Sequence, residues 1–93
     1  MERVEVTDLY EAAYLVCEGC RIEEVQCIPV YRSMCCSITV SGEDLRKKRE
    51  VFDDWCAVAN LHIFRNAYTQ VNGLVHEAKK AFARERKNRE AEA

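Results

Sequence analysis

Six cysteines are the side chains of this 93-residue sequence best suited to chemistry. Cys17 and Cys20 form a Cys-x-x-Cys pair, and Cys35 and Cys36 are adjacent. Four thiolates at short spacings can hold zinc in a tetrahedron, whereas a Cys-x-x-Cys pair can also cycle between dithiol and disulfide. A third reading treats the cysteines as small apolar core residues, since free cysteine is among the most buried residue types.

The positions of the four sulfurs favour the core reading. Cys35 and Cys36 fall on a predicted strand, where neighbouring side chains point to opposite faces, so both fit poorly around one metal. Cys17 ends a predicted helix, where the carbonyl groups raise a thiol pKa and disfavour the reactive thiolate. We therefore predict a non-enzymatic protein with no catalytic residues and no cofactor. Zinc held by Cys17, Cys20, Cys35 and Cys36 stays as the alternative.

The chain reads as one cytoplasmic domain. Residues 1–6 alternate charged and apolar side chains and show neither the basic nor the apolar region of a signal peptide. Because no apolar run approaches the ~20 residues that span a bilayer, we expect no membrane partner. We assign residues 1–82 to a single α+β domain and residues 83–93 to a charged tail that frays.

A helix is predicted over residues 8–18, with Thr7 as its N-cap and Gly19 as its stop. Glycine readily adopts the left-handed conformation that follows the last helical turn. In that arrangement Cys20 packs against Leu15, and Cys17 joins the buried face of the helix.

Two runs rich in β-formers, residues 22–28 and 34–40, predict an antiparallel two-stranded β-hairpin with a loop of about five residues. Cys27 and Cys36 take inward-facing positions in it. Residues 2–7 fit either a short edge strand or an ordered lead-in. The predicted fold is thus α+β: helix, β-hairpin, helix and long C-terminal helix.

The second helix is predicted over residues 43–54, with Leu45, Phe52 and Trp55 near one face. Asn60 caps the third helix, whose apolar residues follow a 3-4-3-4 spacing that is typical of a coiled-coil seam. Two short strands and two short helices offer limited cover for so long a seam. We therefore predict a homodimer through its C-terminal part: Val71, Val75, Ala78 and Phe82.

Nucleic-acid binding is the alternative function. Basic residues of the second and third helices and of the hairpin tip could contact phosphates: Arg32, Lys47, Lys48, Arg49, Lys79, Lys80 and Arg84. Glutamates interleave with these cations, and the sequence pI of about 5.7 argues against a strong basic footprint.

Short motifs also resemble a family of small bacterial and phage proteins known as a domain of unknown function. The first comprises Thr7-Asp8-Leu9, Ala12-Ala13-Tyr14-Leu15, Gly19 and a strand opening at Ile22. The second is Asn60 followed by Phe64-Arg65-Asn66-Ala67. The resemblance spans residues 7–77 and implies an α-β-β-α-α domain with no established activity, no catalytic residues to transfer, and no characteristic cysteine at positions 17 or 20.

Overall fold

The computed structural model describes the backbone of residues 1–30 and 33–92 and the side chains of residues 1–30 and 34–88. Three strands and three helices follow one another in the order β1, α1, β2, β3, α2, α3. Their bounds are β1 Glu2–Val6, α1 Leu9–Cys17, β2 Arg21–Val30, β3 Ser33–Gly42, α2 Leu45–Asp53 and α3 Leu61–Glu92.

The α+β class is confirmed, but the two-stranded sheet is wrong, because β1 adds a third strand. The sheet is antiparallel with the order β1-β3-β2, so β3 lies in the centre. Val4 lies opposite Val40, and Val6 lies opposite Ile38. Both valines thus point to the same face as the apolar residues of β3, which gives the edge strand a reason to pair.

The hairpin strands are longer than predicted. Pro29 pairs with Met34 and Val30 with Ser33, so the five-residue loop proposed for residues 29–33 is wrong. Proline is tolerated here because β2 is an edge strand. The register shifts between Ile22 and Glu24, and this irregularity keeps Ile22 and Val25 on one face.

The core lies between one face of the sheet, called the inner face below, and the helices. α1 packs against α3, and α3 also crosses β2. Alternate residues of the central strand, Ile38 and Val40, are fully buried on this face. The remaining buried apolar residues come from every element except β2 and from the turn after α1: Val6, Ala12, Ala13, Tyr14, Leu15, Cys20, Leu45, Ala67, Val71 and Val75.

Side-chain and backbone caps define the ends of α1. Asp8, not Thr7 as predicted, is the N-cap, and its Oδ1 accepts from the Tyr10 amide at 2.8 Å. Gly19 follows the helix with φ +89°. The Cys20 amide donates to Leu15 O and the Gly19 amide donates to Val16 O, each at 3.0 Å, which is the Schellman arrangement. The predicted glycine stop is confirmed.

α3 is the longest element and begins as predicted at an asparagine cap. Asn60 Oδ1 accepts from the amides of His62 at 2.9 Å and Ile63 at 3.2 Å. A helix of 32 residues extends about 48 Å, which matches the 49 Å long axis of the molecule. Within the part of the chain that is described, no helix combines the length and apolar character needed to cross a membrane.

Candidate functional site

The four cysteines considered for zinc do not converge. Cys17 is half-buried in the last turn of α1, and Cys20 is buried beside Gly42 at the end of β3. Cys36 lies opposite Cys27 in the register, whereas Cys35 lies opposite Ile28 on the other face. Among residues 1–30 and 33–92, no three His, Cys, Asp or Glu side chains are grouped so that they could hold a metal ion.

The thiols of the Cys-x-x-Cys pair are poor nucleophiles. Burial is the main cause that raises the pKa of Cys17, and the nearby Glu18 carboxylate raises it further. Burial also raises the pKa of Cys20, although the Lys48 ammonium opposes that shift. The direction matches the expectation for Cys17, but its main cause is desolvation and not the helix carbonyls.

Two of the three basic side chains considered on α2 are engaged inside the chain. Arg49 Nε donates to Glu11 Oε1 at 2.7 Å, and this ion pair joins α2 to a buried carboxylate of α1. Lys48 Nζ donates to Glu18 O at 3.1 Å, at the end of α1. Lys47 is exposed. A nucleic acid would have to compete with these contacts for Lys48 and Arg49.

The other cations considered for nucleic-acid binding lie on α3, except one. Lys79, Lys80 and Arg84 are exposed, and Lys80 Nζ lies 3.8 Å from Glu77 Oε1, one turn before it. Arg32 lies outside the described residues. The exposed cations therefore lie on the C-terminal half of one helix.

The apolar seam of α3 is largely covered by the chain itself. Val71 and Val75 are buried in the core, so they are not available to a second copy in this structure. Ala78 and Phe82 are half-buried and line a groove with Val25 and Cys27 of β2. The physical reason is that the longer hairpin reaches the C-terminal half of the seam and covers part of it.

A different apolar surface stays open, at the segment that joins α2 to α3. Trp55, Val58 and Leu61 are 95%, 84% and 85% exposed, and Tyr10 of α1 beside them is 59% exposed. We call these four residues the link surface. The grooves beneath it share Phe52 and Ala57 and have volumes of about 480 and 390 Å³. A contiguous exposed apolar patch of this kind marks an interaction site more often than a scattered single residue does.

The backbone holds Trp55 in an unusual conformation. Its φ is +62°, in the left-handed region that bulky side chains rarely adopt. The Cys56 amide donates to Val51 O and the Trp55 amide donates to Phe52 O, each at 3.1 Å. Trp55 thus occupies the position of a second Schellman motif where glycine is preferred. A strained, fully exposed tryptophan points to a function other than stability.

Aromatic rings support the link surface from below. The Tyr10 ring lies 5.3 Å from that of Tyr68 and 6.5 Å from that of Phe64, both on α3, and all three are nearly parallel. The Tyr14 ring lies 5.9 Å from that of Phe52 on α2. These contacts join α1, α2 and α3 beneath the exposed residues, so the surface stands on a packed base.

Carboxylates border the Trp55 side of the link surface. Asp8 and Asp53 line the same groove as Tyr10 and Trp55, and Asp54 immediately precedes Trp55. The border is therefore acidic and favours an apolar partner segment that carries positive charge.

Sequence reasoning missed this surface because it placed Trp55 on the buried face of the second helix. α2 ends at Asp53, so Trp55 lies beyond the helix and outside its periodicity. The available signal was the uncharged run of residues 55–59, which joins two helices without a glycine or a proline. No protein-family model, no curated protein and no solved structure matches the chain.

Proposed function

We propose that the protein is a non-enzymatic interaction module that self-associates, with the link surface of one copy packed against the C-terminal half of α3 of another. The observation that carries this proposal is the exposure of Trp55 together with its strained backbone. The proposal keeps the C-terminal helix as one side of the interface. It retains Ala78 and Phe82, which are half-buried, and omits Val71 and Val75, which the core occupies.

The apolar content of the link surface supports an interface of useful size. Large aromatic side chains bury ~150–250 Å² each, and a standard interface buries ~800 Å² per partner. Trp55 and Tyr10 with two exposed aliphatic residues supply a large share of that area. Tryptophan and tyrosine are also the side chains that most often dominate binding energy.

Charge favours a second copy of this chain as the occupant. The C-terminal half of α3, residues 77–92, contains six basic and four acidic residues and starts with the cations Lys79 and Lys80. The link surface lies at the other end of α3, beside Asp53 and Asp54. Two copies with antiparallel α3 helices would bring each acidic border next to the basic helix of the partner, and a two-fold axis would repeat the contact.

Sedimentation velocity over a range of protein concentrations tests the proposal. We expect the wild-type protein to form a dimer and Trp55→Ala to weaken its dissociation constant about 10–100-fold, as for a buried interface tryptophan. Arg84→Asp should weaken it less, and Asp53→Arg combined with Arg84→Asp should recover part of the loss. Ile28→Ser, which changes an apolar residue of similar exposure on the hairpin, is the control and should leave the dimer intact.

A wild-type protein that stays monomeric at every concentration would refute the proposal. So would a dimer that Trp55→Ala leaves unchanged. A titration of the protein with duplex DNA and with RNA distinguishes the alternative function. Binding that weakens steeply as salt rises and that Arg84→Asp reduces would favour a nucleic-acid partner instead.

A further inference from the structure

Two cysteines that no part of the proposed function uses lie side by side on the inner face of the sheet. Cys27 of β2 and Cys36 of β3 are directly opposite each other in the antiparallel register. Their Sγ atoms are 3.2 Å apart and both side chains are half-buried. The hairpin therefore presents two reduced thiols in contact.

The geometry of an antiparallel pair suits a bond between these sulfurs. Opposite residues have Cα atoms ~4.5–5.5 Å apart. A disulfide needs Cα atoms about 4.4–6.8 Å apart. The backbone therefore already provides the separation, and the side chains need only small rotations to close the remaining distance.

The other cysteines are placed less favourably. Cys35 lies on the opposite face of β3 from Cys36. Cys20 is buried against Gly42 at the far end of that strand, and Cys17 lies at the end of α1. Cys56 is exposed in the segment between α2 and α3. Oxidation should therefore be selective for one pair.

We propose that Cys27 and Cys36 are a reversible disulfide site, which a low-molecular-weight disulfide of the glutathione type converts to a bond across the hairpin. The site does not depend on the link surface or on self-association. Its chemical partner is the oxidised small thiol, and reduced glutathione reverses the reaction.

The exchange takes place in two balanced steps. The Cys27 thiolate attacks one sulfur of oxidised glutathione, the sulfur–sulfur bond of that molecule breaks, and the released glutathione thiolate takes up a proton. Cys36 then gives up its proton and attacks the Cys27 sulfur, which expels the second glutathione as a thiol. The two protein thiols lose two electrons and two protons in total, and one small disulfide becomes two small thiols.

The surroundings assign the first step to Cys27. Its side chain lines an open groove of about 420 Å³ between β2 and α3, together with Ala78, Phe82 and Glu85. Burial is the largest cause that raises the pKa of Cys36 to about 11, and the contact with Cys27 adds to it, whereas Lys79 opposes it. Cys36 therefore remains a thiol at neutral pH and acts as the resolving residue.

Equilibration of the folded protein in glutathione buffers of increasing oxidation tests the proposal. After acid quenching, peptide mapping by mass spectrometry should show a peptide linked through Cys27 and Cys36, and four of the six thiols should stay free. Six free thiols, a different linked pair or a stable glutathione adduct on the wild-type protein would overturn it.

Two variants resolve the order of the steps. Cys36→Ser should accumulate one glutathione on Cys27, because no thiol remains to displace it. Cys35→Ser is the matched control next along the strand and should form the disulfide as the wild-type protein does. Loss of the disulfide in Cys35→Ser would contradict the assignment. If a serine variant does not fold, the mapping of the wild-type protein still decides the question.

Discussion

The ends of α1 and α2 use the same backbone motif for different purposes. Each helix ends in a Schellman pair of hydrogen bonds, and each has a cysteine as the second residue beyond the cap, Cys20 after α1 and Cys56 after α2. After α1 the left-handed position is Gly19 and the cysteine is buried. After α2 that position is Trp55 and the cysteine is exposed.

The difference separates a terminus built for stability from one suited to binding. Glycine takes a positive φ without strain, and a buried cysteine fills the space beneath the turn. A tryptophan with positive φ costs about 1–3 kcal/mol and, when exposed, recovers little of it by packing. The first terminus therefore contributes to the core, whereas the second holds an aromatic side chain in solvent.

The largest expected effect is at the contact beneath the α1 terminus. A Cβ built on Gly42 lies 2.7 Å from Cys20 Sγ and 3.3 Å from Cys20 Cα. Because the backbone of Cys20 is as close as its side chain, the neighbour cannot simply rotate away. We expect Gly42→Ala to lower the free energy of unfolding by about 2–3 kcal/mol, as overpacked cores do. Urea denaturation measures it.

A double-mutant cycle identifies the cause of this loss. Cys20→Ala removes the sulfur that the new methyl group meets, so the double variant should be more stable than the sum of the two single losses indicates. Strict additivity would contradict the packing argument. Gly73→Ala is the control, since nothing lies within 4 Å of its Cβ, and it should stabilise α3 by about 1 kcal/mol.

The second prediction concerns strain without crowding. A Cβ on Gly19 meets nothing within 4 Å, but its φ of +89° is one that alanine avoids. Gly19→Ala should therefore cost about 1–2 kcal/mol, the penalty of a left-handed L-residue. Thermal and urea unfolding provide the measurement. A stability equal to that of the wild-type protein would show that the turn relaxes and that glycine is not needed there.

These two termini also show how far the sequence predicts this molecule. Gly19 was correctly predicted as a stop, because glycine after an amphipathic run is a local signal. Trp55 was not, because the same motif there has no glycine to mark it. The α3 seam identified Val71 and Val75 as buried, but a periodic pattern defines a face and not what covers it. The pairing of β1 with β3 is non-local, so alternation within residues 2–7 left two readings open.

The third prediction reverses the sign of the second at the other terminus. Trp55→Gly removes the strain of a positive φ and loses little packing, because the side chain is almost fully exposed. We expect the free energy of unfolding of the monomer to rise by about 0.5–1 kcal/mol, less than the full strain because glycine also gains freedom in the unfolded chain. Urea denaturation below the dimer concentration measures it.

Self-association should change in the opposite direction. Trp55→Gly removes the aromatic side chain, so its dimer should be weakened as much as that of Trp55→Ala, whose stability as a monomer should stay near that of the wild-type protein. A more stable monomer that no longer associates would separate binding from folding at one residue. A less stable Trp55→Gly monomer would mean that Trp55 packs in the core after all.

The smallest effect expected comes from a contact that supports only the α1 terminus. Lys48 Nζ donates to Glu18 O, and its charge lies where the helix dipole is negative, whereas the last turn of α2 contains no basic residue. Lys48→Met keeps the length of the side chain and removes the charge, and it should cost about 0.5 kcal/mol at low salt. Lys47→Met, at the exposed neighbouring position, is the control. Because the contact is electrostatic and near the surface, the difference between the two variants should shrink as salt rises. A difference that persists in high salt would assign the role of Lys48 to the packing of its methylene chain instead.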